Sequence, residues 1–256
     1  MRITPVLRLN SDPHCLPIDW PAPARVRAAF TSRKGGRSRD AWASLNLASH
    51  VGDEPAAVAA NRAALAAHLG LAGEPCWLEQ IHSDIVLNLD DPVAGRCGDA
   101  AITGTPHRVA AVMVADCLPV LLCDDQGQQV AAVHAGWRGL AANLIAKTIR
   151  GFNAPPDRLI AWLGPAIGPT AYRIGDDLYT RFMTIDPRHS AAFVRIDHHW
   201  HMDLAQLALL QLQVAGVLRV ARSGVCVHDD AQNFFSYRRD GETGRMAALI
   251  WINTND

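Results

Sequence analysis

Apolar residues run through this chain in short blocks, and the points where the blocks break are the informative ones. VAAVHAGWRGL, from Val130 to Leu140, starts as a strand of small and β-branched residues and ends as a helix start, with His134 at the junction. RVAAVMVADCLPVLLCDD, from Arg108 to Asp125, reads as two apolar strands broken at Asp116-Cys117 and followed by the turn DDQGQQ. CWLEQIHSDIVLNL, from Cys76 to Leu89, is a strand pattern with a polar interruption between Gln80 and Asp84. RLIAWLGPAIGP, from Arg158 to Pro169, is a strand running into a Gly/Pro turn.

Helical stretches lie between these blocks. Asp53-Glu54-Pro55 opens an Ala-rich helix that closes near Gly70. Further helices are expected from about Arg138 to Phe152, around Asp176 to Met183, and from Asp203, a capping residue, to Gly216. AAFVRI reads as a strand, and HHWH (His198 to His201) and CVHDD (Cys226 to Asp230) as loops. RVARSG, FFSYRR and RMAALIWI read as strands, with DGETG joining the last two as a hairpin. The first 24 residues carry five prolines and read as an irregular lead-in with one edge strand. Strands and helices alternate without a clean βαβ repeat or an obvious linker, so one α/β domain with mixed sheets over residues 25–256 is the simplest architecture.

Composition narrows the class. The chain has 256 residues, 49% hydrophobic and 19% charged, with a formal net charge of −1. That balance fits a globular core and gives no electrostatic case for nucleic acid or an anionic membrane. The longest apolar run, Val109 to Ala115, is far too short to span a bilayer. With no apolar leader segment, the six cysteines are expected as reduced thiols in the cytoplasm.

Three of the strand breaks deliver a metal-ligand type: His82 in EQIHSD, Cys117 in VADCLP and His134 in AVHAGW. Two imidazoles and a thiolate suit zinc with one coordination position left open. Taken singly, a cysteine in an apolar strand is an ordinary buried residue and a histidine at a strand end is an ordinary hydrogen-bonded one. Asp84 and Asp116 are candidate acceptors behind the histidines. Arg138, at the start of a helix, is the first candidate for holding an anion. No nucleophile elbow of the GxSxG type is present.

At TSRKGGRS, SLNLASHVGDEPAAVAANR, EQIHSD, GDAAIT, VADCLPVLL, AAVHAGWRGL, GPAIGPTAY and FFSYRRDGETGRMAALI the chain resembles the laccase-domain family, over roughly Arg27 to Ile252. That family includes proteins described as multicopper polyphenol oxidases and as purine nucleoside phosphorylases. The resemblance implies a four-layer α/β/β/α sandwich with a zinc or copper ion on His82, Cys117 and His134. It implies phosphorolysis of adenosine, inosine and methylthioadenosine, deamination of adenosine, or editing of peptidoglycan precursors. On that reading the partners are a small nucleoside and phosphate. Cys117, His82, His134 and Arg138 would form the reaction centre, and Asn46, Arg62, Gln80 and Arg33 would contact substrate. A rival assignment makes Cys117 the nucleophile of an amidohydrolase, with His82 or His134 as its base. Copper-loaded polyphenol oxidation and a non-enzymatic metal sensor are weaker alternatives. A multicopper centre needs several His-x-His pairs, and His199-Trp200-His201 is the only one in the chain.

Overall fold

The computed structural model describes residues 14–254 apart from Pro17 and Ala94, so expectations for residues 1–13 lie outside the described residues. The elements run β1 (Cys15–Leu16), β2 (Val26–Thr31), α1 (Pro55–His68), β3 (Cys76–Trp77), β4 (Val86–Asn88), β5 (Ala100–Thr103), β6 (Ala110–Val114), β7 (Leu118–Asp124) and β8 (Val130–Ala135). They continue through α2 (Trp137–Ala141), α3 (Leu144–Ile149), β9 (Leu159–Leu163), β10 (Arg173–Ile174), α4 (Asp176–Ile185), β11 (Phe193–Ile196) and β12 (His199–Met202). The last are α5 (Leu204–Val214), β13 (Arg219–Arg222), α6 (Tyr237–Asp240) and β14 (Met246–Ile252). None of the described helices is long and apolar enough to cross a membrane.

Two mixed sheets carry the fold, one in the order β1-β2-β14-β6-β3 and one in the order β13-β9-β7-β8-β5-β4. A small third sheet, β10-β12-β11, lies apart from them. The apolar blocks are apolar on both sides because both sheet faces are covered. In β7, Leu118, Val120 and Leu122 join a cluster with Leu140, Leu144 and Leu207 from α2, α3 and α5. Leu121 and Cys123, pointing the other way, meet Phe30, Val112 and Ile250 of the five-stranded sheet. The opposite side of that sheet offers Ala111, Met113 and Leu249 to Leu65 of α1. At about 1.5–3 kcal/mol per fully buried large aliphatic side chain, these three clusters are the main source of stability.

Four sequence expectations change. The helix expected from Arg138 to Phe152 is two helices, broken at Asn143, whose φ of 60° is left-handed. Asparagine tolerates that conformation better than most residues, so it allows a bend there. Of the HHWH stretch, His199, Trp200 and His201 lie in strand β12 and not in a solvated loop. Left-handed Asp197 and His198 turn the chain back so that β12 pairs with β11, and His201 Nδ1 bonds the Pro169 carbonyl at 2.8 Å. FFSYRR is not a strand, since Phe234 and Phe235 plug the core between the sheets and Ser236 caps the short helix α6. The hairpin expected across DGETG is also absent, because its first arm, FFSYRR, forms no strand. β13 runs parallel to β9 in one sheet, and β14 sits between β2 and β6 in the other.

The β7–β8 pair is anchored at its turn. The two strands form a hairpin in which Pro119 pairs with His134 and Leu118 with Ala135. At its far end the buried carboxylate of Asp124 accepts the backbone N–H groups of Gln126 at 2.8 Å, Gln128 at 2.8 Å and Gln129 at 2.5 Å. Charge-assisted bonds of this kind fix the loop geometry and with it the register. Asp124→Ala strands three donors, and urea unfolding is expected to show a loss of about 2–4 kcal/mol at an unchanged m value.

Candidate metal centre and its cavity

The hairpin register explains why Cys117 and His134 meet. Cys117 lies just before β7 and His134 just before the end of β8, on paired strands. Asp116 precedes Cys117 with a left-handed φ of 94°. Its two carboxylate oxygens hold that conformation, accepting Ser236 Oγ at 2.6 Å and the Arg238 N–H at 2.5 Å.

His82 arrives from a separate loop, and one side chain aligns that loop with the hairpin. Asp99 is fully buried. Its carboxylate accepts the N–H groups of Ile81, His82 and Ser83 at 3.3, 3.0 and 2.5 Å and the Ser83 hydroxyl at 2.7 Å. It also accepts His134 Nδ1–H at 2.8 Å, while its own backbone carbonyl accepts the His134 N–H at 2.7 Å. The acceptor behind His134 is therefore Asp99. Asp84 and Asp116 do not fill that role, because Asp84 pairs with Lys147 and Asp116 is committed to residues 236 and 238. Asp99 stands in the GDAAIT motif, where an acid immediately before a fully buried strand is the signal that could have singled it out.

The result is a compact donor set. One ligand atom each from His82, Cys117 and His134 lies within 4.8 Å of the others. With Nδ1 of His134 engaged by Asp99, its Nε2 is the free ligand atom, the usual arrangement behind a metal-bound imidazole. Gly136 keeps the space clear, since a Cβ there would sit 3.0 Å from Cys117 Sγ. Two imidazoles and a thiolate fit a tetrahedral N/S-preferring ion with one position open. Among the described residues this is the one group of His, Cys, Asp and Glu that could hold an ion. The HHWH and CVHDD stretches form no such group.

Electrostatics agree with that chemistry. Burial pushes the Cys117 thiol up, but the His134 charge and hydrogen bonds from His134 and His82 outweigh it and bring it down to about 6. Burial likewise opposes a charged His134, yet the Cys117 thiolate and Asp99 raise it to about 9. Asp99 is held at about 2, its burial overcome by the bonds from His134 and Ser83. Without a metal the pair is a thiolate and an imidazolium, the state that binds cations once the imidazole proton leaves.

The three candidate ligands line a cavity of about 550 Å³. It sits where β6 and β8 end and β7 and β14 begin. Arg138 lines it as expected, its guanidinium 4.4 Å from the Trp137 ring centre. Gln80 also lines it, but its amide is spent on the Met113 backbone, donating at 2.8 Å and accepting at 2.7 Å. Asn46, Arg62 and Arg33 are not brought into the lining. Asn46 is fully buried and bonded to Ala48, Asp53 and Arg245. Arg62 donates to the Leu47 carbonyl and lies over Trp77, and Arg33 donates to the carbonyls of Ala43 and Ala231. The sequence reading missed Arg238, Arg245, Tyr172, Tyr237 and His50, which do line the cavity.

Comparison with known proteins places this architecture. The family described as multi-copper polyphenol oxidoreductase laccase matches residues 27–253. The chain belongs to that family. A relative from Escherichia coli (strain K12), purine nucleoside phosphorylase YfiH, is 45% identical over 91% of this chain and 96% of its own length. Purine nucleoside phosphorylase PA4543 of Pseudomonas aeruginosa is 43% identical over 91% of this chain and 96% of its own. Among solved structures, protein NMB0706 of Neisseria meningitidis superposes with a TM-score of 0.88 at 45% identity, covering 94% of this chain and 99% of that one. YlmD from Geobacillus stearothermophilus gives 0.89 at 29% identity, covering 97% and 100%.

The Asp99 clamp yields two expected outcomes. Asp99→Asn keeps the shape and removes the charge, and a chelator competition assay should show metal affinity lowered about 10–100-fold. In chelator-stripped protein, Cys117 alkylation should rise through a midpoint near pH 6 as the thiolate forms. In the Asp99 variant the weaker imidazolium should move that midpoint upward.

Proposed function

We propose that this chain is a metal-dependent purine nucleoside phosphorylase working in the cavity beside His82, Cys117 and His134, with zinc as the metal. The observation that carries the reading is the joint lining of one cavity by a His-Cys-His donor set and by Arg138, Arg238 and Arg245. The phosphorylase name borne by the relatives from Escherichia coli and Pseudomonas aeruginosa supports it. In phosphorolysis the bond between the sugar's anomeric carbon and the base nitrogen breaks, a phosphate oxygen bonds that carbon, and the base leaves with a proton. A zinc ion held by His82, Cys117 and His134 would supply Lewis acidity and a water ionisable near neutrality, the chemistry of the accompanying adenosine deamination.

The chain's own residues do the rest. Arg138 offers a guanidinium fork to an oxyanion. Trp137, Tyr172 and Tyr237 offer ring faces and edges to an aromatic base. Burial, with the nearby Cys117 charge, pushes the Tyr172 hydroxyl well up, so it stays protonated and can donate a hydrogen bond. Asn46 holds the backbone of Arg245, while Arg62 and Arg33 order loops outside the cavity.

A second reading has its own observation. Cys117, His134 and Asp99 form a relay in the order nucleophile, base and orienting acid. With the metal absent that relay suits attack on an amide, as in the editing of a peptidoglycan precursor.

Mass spectrometry of products separates these readings. Zinc-loaded protein given adenosine is expected to yield adenine and ribose 1-phosphate only when phosphate is present, and to lose this with Cys117→Ala. Inosine as the sole product would assign deamination alone. No turnover of any nucleoside by fully metal-loaded protein overturns the proposal and leaves the amide reading.

A further inference from the structure

The cavity's charge is one-sided. Its lining holds three guanidinium groups and a single carboxylate, Asp116. Both oxygens of that carboxylate are already taken by Ser236 Oγ and the Arg238 N–H, so it makes no direct ion pair with an arginine side chain. Among the described residues, none of Arg138, Arg238 and Arg245 has a carboxylate within ion-pair distance. Arg138 makes no hydrogen bond there and only lies against Trp137. Arg238 donates one bond, to the Arg173 carbonyl at 3.0 Å, and lies over Tyr172. Arg245 donates only through Nη1, to the carbonyls of Thr243 and Gly244.

Their neighbour Arg239 shows what an arginine used for structure looks like. It donates to the carbonyls of Val227, His228 and Phe234 and pairs with Asp240 at 2.6 Å. The cavity arginines leave most of their donors free. A partly desolvated guanidinium without a counter-charge is costly unless a ligand supplies one. Their backbones are nonetheless tied down. The Arg245 N–H donates to buried Asn46 Oδ1 at 3.0 Å and its carbonyl accepts the Leu47 N–H at 3.3 Å. The Arg238 N–H is anchored on Asp116, next to the metal ligand Cys117. Asn46 and Asp116 are thus positioning residues for the two arginines, which accounts for the SLNL motif that makes no contribution to the cavity lining itself.

We propose that Arg138, Arg238 and Arg245 form one oxyanion subsite that takes a phosphate group in the same cavity as the His-Cys-His donor set. The inference rests on reading this cavity as the nucleoside site, and it adds which residues take the phosphate. The phosphate has two possible sources, the free ion as co-substrate or a phosphate already esterified to the nucleoside.

Calorimetric titration of the zinc-loaded full chain with inorganic phosphate tests it. Arg138→Gln, Arg238→Gln and Arg245→Gln are each expected to weaken phosphate binding about 10-fold or more. Arg188→Gln, outside the cavity, should leave it unchanged. Arg138 breaks no internal hydrogen bond when replaced, so its variant keeps the test valid if Arg245→Gln fails to fold. Unchanged affinity in all of the folded cavity variants would place the phosphate elsewhere, the metal included, and overturn the subsite. Parallel titrations with adenosine and adenosine 5′-monophosphate separate the sources. If free phosphate binds and is incorporated into ribose 1-phosphate, both the subsite and the phosphorylase reading stand. If the monophosphate binds at least 10-fold tighter than adenosine, loses that advantage in the arginine variants, and is not cleaved by phosphate, the subsite stands and the phosphorylase reading falls.

Discussion

The site depends on one buried carboxylate. Asp99 has no solvent to satisfy its charge, so its oxygens must be filled by protein donors, and those donors come from two places that share no strand pairing. Three successive N–H groups around His82 supply one side and the imidazole of His134 supplies the other. A carboxylate in this position is stable only when both segments are in place, so closing the fold also brings the His-Cys-His donor set together. The left-handed backbone at His82, unfavourable for a histidine in isolation, is held by the same bonds.

The second support is the β7–β8 hairpin. Register in an antiparallel pair admits no partial slip, because a shift of one residue turns every side chain to the other face. With both faces of β7 buried against different clusters, such a slip would exchange two incompatible sets of side chains. Cys117 and His134 inherit their relative position from that constraint, and Asp124 reinforces it from the opposite end.

These two supports explain what could be read from the sequence. It was the family resemblance that joined His82, Cys117 and His134 into one site, but each stood out singly because it interrupts an apolar block. Most strands were legible for the same cause. Asp99 was not, since it is one of 25 acidic residues and its role exists only once two distant loops meet. FFSYRR misled because its aromatic pattern suggests the first arm of a hairpin with β14, whereas Phe234 and Phe235 fill the core between the sheets and Ser236 caps α6. Asn46, Arg62 and Arg33 stand in distinctive motifs, yet their hydrogen bonds go to backbone carbonyls and buried side chains. Polar residues that order a loop and polar residues that touch a ligand look alike until their partners are known.

The cavity lies at a seam. The candidate ligands Cys117 and His134 belong to the hairpin of the six-stranded sheet, while Arg245 leads directly into β14 of the five-stranded one. Arg138, by contrast, follows β8 on α2, so the cavity's shape depends on how the two sheets pack around core side chains such as Phe30, Phe234 and Phe235, none of which lines it. Resizing those core side chains would therefore reshape the cavity without replacing any residue that lines it.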